Sequence, residues 1–339
     1  AARKLARAVR WRATRLEEFQ AATHGREQHA DAELALDANG RIVGLRVRIR
    51  GGIGAYGMAA GAAIHLLIGP KVTTGVYHVP ALDLRSQAVL THTNLIGAYR
   101  GAGRPEAIYL IERLMDRAAA ELKIDPAELR RRNLIAPAAM PYKTPMGETY
   151  DSGDFPRLLE QALAAADWSG FEARRRQSQA RGWLRGRAVS TFLEWTGVVH
   201  EETVQLHVLA DGRVRVFTAM QAMGQGIETS YLQILAEALQ IDPARIEIIQ
   251  GDSDVAQGIG SMGSRSLYIG GSAMLTASEQ AIDAGRKLAA EQLEAAPEDI
   301  VYRAGRFEIA GTDRGIELGK LVARQPGQRI AITTLQKVG

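Results

Sequence analysis

Residues 98–122 read AYRGAGRPEAIYLIERLMDRAAAEL, a glycine-punctuated loop that runs directly into a helix. We predict that the helix begins at Pro105, because proline suits a first helical turn, where its missing N–H would have no partner. Apolar side chains follow at helical spacing, and we predict that they share one buried face: Ile108, Ile111, Met115, Ala118 and Leu122. A second helix is predicted after Asp125, whose carboxylate can cap it.

Strand patterns lie on both sides of this stretch. Residues 32–50 alternate around Asn39-Gly40, and residues 203–218 alternate around Asp211-Gly212. Both patterns predict β-hairpins. A helix over 227–241 and a strand over 244–250 are predicted next. Mixed helices and strands in this order predict an α/β (α+β) fold.

The chain has 339 residues, enough for two domains with substantial cores. Residues 136–156 are rich in Pro, Gly and Thr, and a charged segment follows over 172–187. We therefore predict two mixed α/β subdomains, over 1–156 and 188–339, joined by a helical linker over 157–187. The second subdomain is expected to be incomplete at its C-terminal end.

The composition excludes several classes of function. The chain has no cysteine, which excludes disulfides, thiolate catalysis and iron–sulfur ligation within it. No apolar run reaches the roughly 18 residues of a membrane span, and the N-terminus lacks the apolar centre of a signal peptide, so we expect a cytoplasmic protein. We interpret the basic clusters at 130–133 and 174–181 as solvated surfaces rather than nucleic-acid sites, because no aromatic residues interleave with them.

Common catalytic and nucleotide motifs have little support. Gly52, Gly54 and Gly57 match G-x-G-x-x-G, but no acidic residue follows before Asp83, so we reject a dinucleotide site and predict a tight turn. The sequence contains neither H-E-x-x-H nor G-x-S-x-G. Zinc and serine hydrolase chemistry are therefore not indicated.

Three glycine-punctuated segments remain, each ahead of a predicted helix: residues 97–106, 223–226 and 260–266. Helix N-termini suit the anionic oxygens of phosphate or pyrophosphate, and glycine lets a ligand approach the backbone closely. Gln225 adds an amide that donates and accepts, and Arg265 adds a charged fork. Each segment alone could equally be an ordinary turn. Together they favour an anion site without identifying its ligand.

The chain resembles the large subunit of molybdenum hydroxylases, the family of xanthine dehydrogenase, aldehyde oxidase and carbon monoxide dehydrogenase. The resemblance lies in AYRGAGRPEA with the helices after it, PYKTPMGETYDSGDF (141–155), QAMGQGIETSYLQILAEAL (221–239) and GDSDVAQGIGSMGSRSLYIGGSA (251–273), in family order. It implies a molybdopterin, often as its cytosine dinucleotide, bound by two α/β subdomains. The molybdenum would be held through the pterin rather than by side chains.

The resemblance also implies roles for individual residues. Arg100 and Gly101 would lie beside the molybdenum, and Ala102 and Gly103 would line the substrate pocket. Gln225 would donate to a molybdenum ligand. The remaining cofactor contacts would come from two loops: Met223, Gly224, Gly226, Met262, Gly263, Ser264, Arg265 and Ser266.

The family mechanism implies hydroxylation of a small molecule, with water as the oxygen source and electrons leaving through [2Fe-2S] clusters to FAD. Because this chain has no cysteine, the resemblance implies an iron–sulfur subunit, together with an FAD subunit. The family's G-G-x-F-G loop and its catalytic glutamate, in a G-x-G-E context, are both absent. We therefore expect remaining molybdenum-subunit segments elsewhere, with a catalytically inactive scaffold or assembly subunit, or a nucleotide-binding protein without a redox role, as alternatives.

The loop over 98–104 also bears on the substrate. Family members that oxidise carbon monoxide carry a cysteine after the loop's first arginine, and its sulfur holds copper. Gly101 occupies that position here. At Ala102, purine- and aldehyde-oxidising relatives often place an aromatic ring. We therefore expect an N-heterocycle or an aldehyde as substrate.

Overall fold

The computed structural model describes residues 1–197 and 199–337. These residues form two compact units, Ala1–Glu194 and Trp195–Gly339. Each unit mixes helices and strands, as predicted from the sequence. The predicted subdomain limits, 156 and 188, both lie on the N-terminal side of this division.

The first unit carries one three-stranded sheet flanked by helices. Its elements are α1 Ala2–Leu5, α2 Arg15–Ala21, β1 Gln28–Leu36, β2 Ile42–Gly52, α3 Ala59–Ala63, α4 Gly69–Lys71, β3 Leu82–Val89, α5 Arg104–Leu122, α6 Pro126–Asn133, β4 Tyr142–Lys143, β5 Thr149–Tyr150, α7 Phe155–Ala165 and α8 Phe171–Gln179. A π-helical stretch, Ile64–Ile68, joins α3 to α4. β4 and β5 form a separate two-stranded ribbon.

The sheet of the first unit has the order β1-β2-β3. β1 and β2 form the predicted hairpin, and Gly40 in its turn has a φ of 75°, which favours glycine. β3 runs parallel to β2. Val47 and Met115 belong to the core between the sheet and α5. The opposite face carries ion pairs such as Arg46–Glu33.

The second unit contains a four-stranded and a three-stranded sheet. Its elements are β6 Glu201–Leu209, β7 Val214–Thr218, α9 Ile227–Leu239, β8 Ile246–Gln250, α10 Ser272–Leu293, β9 Ile300–Arg303, β10 Arg306–Ile309, β11 Gly315–Glu317, α11 Leu318–Ala323 and β12 Arg329–Lys337. A π-helical stretch, Ser266–Gly271, leads into α10. The sheet orders are β12-β6-β7-β8 and β11-β10-β9.

The core of the second unit lies between the larger sheet, α9 and α10. β6 and β7 form the predicted hairpin, and β8 runs parallel to β7. Leu206, Tyr231 and Ala277 are fully buried in this core. No helix in the described ranges is long and apolar enough to cross a membrane.

The buried face of α5 differs from the prediction. Ala107, Leu110 and Ala119 are buried together with the predicted Ile111 and Met115. By contrast, the predicted Leu122 is 43% exposed. The prediction was therefore wrong at Leu122, the last residue of the helix, and it omitted Glu112, a buried polar residue that apolar spacing cannot detect.

The interpretation of residues 130–133 as a solvated surface was wrong for Asn133, which is 3% exposed, and for Arg130. This side chain is fully buried, and its Nε donates to Glu112 Oε2 at 2.8 Å. Its Nη2 also donates to Asp116 Oδ1 at 2.9 Å. Arginine enters a core when carboxylates satisfy its N–H groups, so this arginine ties α6 to α5.

Candidate cofactor-binding site

The second unit brings two glycine-rich loops to one edge of its sheet. β7 and β8 are parallel, and their last residues, Thr218 and Gln250, lie opposite each other. The loop over 219–226 leaves β7, and the loop over 251–265 leaves β8. The carboxyl ends of parallel strands are where open α/β sheets usually bind ligands. Here the two predicted segments share that edge.

The backbone of the first loop is open beside Gln225. Gly224 and Gly226 have φ angles of 90° and 76°, and a Cβ built on either glycine would meet no atom within 4 Å. Gly226 is the N-cap of α9. The first N–H groups of a helix lack intrahelical partners and favour anions. The loop therefore offers an approachable backbone at a helix N-terminus.

The side chain of Gln225 closes its own loop. Its Oε1 accepts from the Met223 N–H at 2.5 Å, and its Nε2 donates to the Gln221 carbonyl at 2.9 Å. A primary amide has two N–H groups, and within the described residues only one of them has a partner. The second N–H is thus available to an external acceptor.

The second loop is attached to the first through Ser261, which the sequence analysis did not single out. The Ser261 hydroxyl accepts from the Gln221 N–H at 2.9 Å and donates to the Gln221 carbonyl at 2.9 Å. A groove of about 250 Å³ lies along this junction, with Ala219, Asp252 and Gly260 among its lining residues. Gln221 and Ser261 both lie in segments that the sequence analysis quoted, but the contact between them joins residues 40 positions apart, so only the fold could reveal it.

Arg265 faces the interior. Its side chain is 0% exposed and pairs with Glu202, which is 2% exposed, at 3.0 Å. It also donates to the carbonyls of Gly260 at 3.0 Å and Val199 at 3.3 Å, and to the carbonyl of Glu201. The guanidinium is therefore committed to protein acceptors, and the structure gives no support to a direct phosphate contact.

The rest of the second loop divides between surface and interior. Met262 is 47% exposed, and Gly263 and Ser264 have φ angles of 55° and 59°. The Ser266 carbonyl accepts from the Tyr231 hydroxyl at 2.6 Å, and burial raises the pKa of that tyrosine above its ordinary range. This bond fixes the start of the π-helical stretch.

The first unit repeats the edge arrangement. β2 and β3 are parallel, and Gly52 lies opposite Val89 where both strands end. Gly54 has a φ of 77°, and a Cβ there would lie 2.2 Å from the Asn94 carbonyl oxygen. The G-x-G-x-x-G segment is therefore the tight turn that we predicted, packed against the loop that follows β3.

The glycines of the loop over 97–104 serve its own packing. A Cβ on Gly97 would lie 2.9 Å from the side chain of Thr23. A Cβ on Gly101 would lie 2.7 Å from the ring of Pro105. A Cβ on Gly103 would lie 2.9 Å from the Gly69 nitrogen. None of these substitutions fits without movement. The glycines thus shape this loop, in contrast to the open pair beside Gln225.

Two further arginines support the same loop. Arg26 donates to the Arg100 carbonyl and to Glu106 Oε2, the latter at 2.8 Å. Arg104 is buried and donates to the Gly101 carbonyl at 2.9 Å, and burial lowers its pKa. The side chain of Arg100 is exposed, and Ala102 is partly exposed. Arg26 and Arg104, which the sequence analysis did not single out, therefore hold the backbone of this loop at Arg100 and Gly101.

Comparisons with known proteins agree with this architecture. The family model for a molybdopterin cofactor-binding domain matches residues 1–134, and a second model of the same description matches residues 161–336. The chain belongs to the molybdenum hydroxylase family, of which these are the cofactor-binding domains. Among the described residues no cluster of His, Asp and Glu could itself hold a metal ion.

The curated relatives are longer than this chain. It is 37% identical to the 6-hydroxypseudooxynicotine dehydrogenase complex subunit gamma of Paenarthrobacter nicotinovorans, over 95% of this chain and 41% of that protein. It is 33% identical to the carbon monoxide dehydrogenase large chain of Hydrogenophaga pseudoflava, over 91% and 41% respectively. Quinoline 2-oxidoreductase from Pseudomonas putida 86 superposes with a TM-score of 0.87 at 30% identity, covering 99% of this chain and 46% of that one.

Proposed function

We propose that the chain binds a molybdopterin cofactor, in its cytosine dinucleotide form, and that the loop over 223–226 is a principal contact. The observation that carries this proposal is the open, left-handed backbone at Gly224 and Gly226, at the start of α9. Phosphate oxygens are attracted to such a backbone, and Gln225 adds a free amide N–H beside it. These residues fit the group that the family binds.

The other predicted residues complete the proposed site. Arg100 and Gly101 would lie near the molybdenum, with Ala102 and Gly103 beside the substrate. Further contacts would come from the two loops of the second unit, at Met223, Met262, Gly263 and Ser264, and from Ser266 at the start of the π-helical stretch. Arg265 would act from the interior, by holding the second loop in place.

We propose that the complete protein hydroxylates an N-heterocycle or an aldehyde. The bound cofactor supplies two-electron redox chemistry, with water as the source of oxygen. This chain's own residues would bind and orient that group: backbone N–H groups of the loop over 223–226 would hold its phosphate, and the amide of Gln225 would donate a hydrogen bond to it. The similarity to an enzyme named for quinoline, an N-heterocycle, supports this substrate class.

We propose that electrons leave to [2Fe-2S] clusters and FAD on partner subunits. The chain has no cysteine to bind a cluster, and one relative is named as a subunit of a complex. The catalytic glutamate of the family would lie in remaining segments of the molybdenum subunit. A cytoplasmic location is part of the same proposal.

A matched pair of glycine substitutions tests the cofactor site. Gly226 and Gly311 have φ angles of 76° and 77°, and a Cβ on either meets open space. Alanine should therefore cost both positions a similar backbone strain, roughly 1–2 kcal/mol. We expect Gly226→Ala in the native complex to retain molybdenum and cytidine monophosphate about tenfold less well, equivalent to about 1.4 kcal/mol, and Gly311→Ala to match the parent.

Equal cofactor contents in the two variants would show that the loop over 223–226 does not contact the cofactor. A native complex without molybdenum or pterin would instead favour the inactive scaffold. The two outcomes are separated by metal analysis of the parent complex alone.

A further inference from the structure

The Ser261 hydroxyl makes two hydrogen bonds to one residue of the neighbouring loop. It accepts from the Gln221 N–H and donates to the Gln221 carbonyl, both at 2.9 Å. A hydroxyl is among the few side-chain groups that can donate and accept at once. Ser261 therefore holds both backbone hydrogen-bonding groups of Gln221, its N–H and its carbonyl.

The Gln221 carbonyl is shared with Gln225. It accepts from the Gln225 Nε2 at 2.9 Å as well as from Ser261. The Gln225 Oε1 in turn accepts from the Met223 N–H. A chain of hydrogen bonds thus leads from Ser261 through Gln221 to the amide of Gln225 and on to Met223.

We propose that Ser261 is a positioning residue that sets the orientation of the Gln225 amide for the cofactor. This inference rests on the proposed function of the loop over 223–226. If Ser261 loses its hydroxyl, the Gln221 carbonyl keeps one donor instead of two and its N–H loses its acceptor. The Gln225 amide then lacks a fixed anchor, although neither glycine beside it has changed.

Hydrogen exchange and cofactor retention test the proposal in the native complex. Ser261→Ala should speed exchange of both the Gln221 and the Met223 amides by about tenfold. The Met223 amide is the decisive readout, because it does not contact Ser261 and responds only if Gln225 moves. Ser261→Thr keeps the hydroxyl and should restore slow exchange. Ser169→Ala, at an exposed serine of the first unit that has no hydrogen bond among the described residues, is the control.

The same variants are then scored for molybdenum and cytidine monophosphate per chain. We expect Ser261→Ala to retain about tenfold less cofactor than Ser169→Ala under mild dialysis, with Ser261→Thr near the parent. Unchanged exchange at Met223, or retention equal to that of the control, would overturn the positioning role.

A reference variant separates this inference from the proposed function. Gln225→Ala removes the amide itself. If Gln225→Ala loses cofactor and Ser261→Ala does not, only the role of Ser261 is overturned. If Gln225→Ala retains full cofactor while Gly226→Ala loses it, the inference fails and the proposed loop contact stands. If both retain full cofactor, the loop over 223–226 is not a cofactor contact, and that part of the proposed function fails with the inference.

Discussion

Single residues in this chain divide into those that the sequence indicates and those that only the fold reveals. Gln225 stands out in the sequence because nothing in core packing asks for an amide between two glycines. Ser261 and Arg26 carry no such indication, since each acts on a backbone group distant in sequence. Arg265 is conspicuous in the sequence because an arginine in a glycine-rich loop suggests an anion, but its buried partner Glu202 lies 63 residues away and could not be inferred.

Arg265→Lys tests whether this residue is structural. Lysine keeps the charge but cannot reproduce the planar fork that reaches Glu202 and several carbonyls. Each buried acceptor left unpaired costs about 1–3 kcal/mol. We expect a clear fall in the free energy of unfolding, measured by urea titration with circular dichroism, and a weaker hold on cofactor as its consequence.

A double variant provides the control for Arg265. Arg265→Met alone leaves Glu202 as a buried charge without its partner, which should lower the free energy of unfolding by about 3–5 kcal/mol. Adding Glu202→Leu should recover much of that loss. If Arg265→Lys had the same free energy of unfolding as the parent but lost molybdenum, Arg265 would instead contact the phosphate directly.

At the scale of elements, local turn chemistry was the most reliable guide. Asn39-Gly40 and Asp211-Gly212 both lie in hairpin turns, with Gly40 and Gly212 at φ angles of 75° and 80°. Patterns that depend on tertiary partners were harder to interpret. The predicted buried face of α5 omitted Glu112, which is buried with Arg130 as its partner, because such a pair is invisible to apolar periodicity.

The π-helical stretch of the first unit is anchored by a buried histidine. His65 is 3% exposed, and its Nε2 lies 3.1 Å from the Gly52 carbonyl oxygen. Gly51 makes room for the ring, since a Cβ there would lie 2.2 Å from its Cγ. Burial lowers the pKa of His65, with the backbone contact and two glutamates opposing that shift. The folded unit therefore favours neutral imidazole.

This shift predicts a loss of stability on acidification. As the pH falls, the histidine of the unfolded chain is protonated near its ordinary pKa of about 6.5, whereas the folded chain takes up that proton only at a lower pH. His65 thus stabilises the fold fully above that pH, and the contribution is lost as the pH falls through the folded pKa. His65→Gln cannot titrate, so its free energy of unfolding should fall less between about pH 7.5 and about pH 5.5. Urea titrations at both pH values measure this; parallel losses in parent and variant would contradict it.

At the scale of the whole molecule, the two units share one plan. Each has an antiparallel hairpin, a helical connection and a third strand parallel to the second. The phrase Ile-Asp-Pro-Ala, at 124–127 and 241–244, is not a trace of this repetition. Its first copy follows α5, beyond the three strands, whereas its second precedes β8. In both copies the aspartate accepts from a backbone N–H two residues on, so the phrase marks helix starts.

The complete protein should contain no molybdenum–copper centre, although one relative is a carbon monoxide dehydrogenase. Cu(I) needs a soft ligand such as a thiolate, and the chain has no cysteine. The loop itself resists one at Gly101, where φ is 87° and a Cβ would lie 2.7 Å from Pro105. The resemblance puts Ala102 where some relatives carry an aromatic ring, and an alanine there would provide no stacking surface. We therefore expect dye reduction with N-heterocycles or aldehydes, none with carbon monoxide, and negligible copper by metal analysis. Gly101 has no side chain that could hold copper. Stoichiometric copper together with carbon monoxide-dependent dye reduction would therefore refute this expectation.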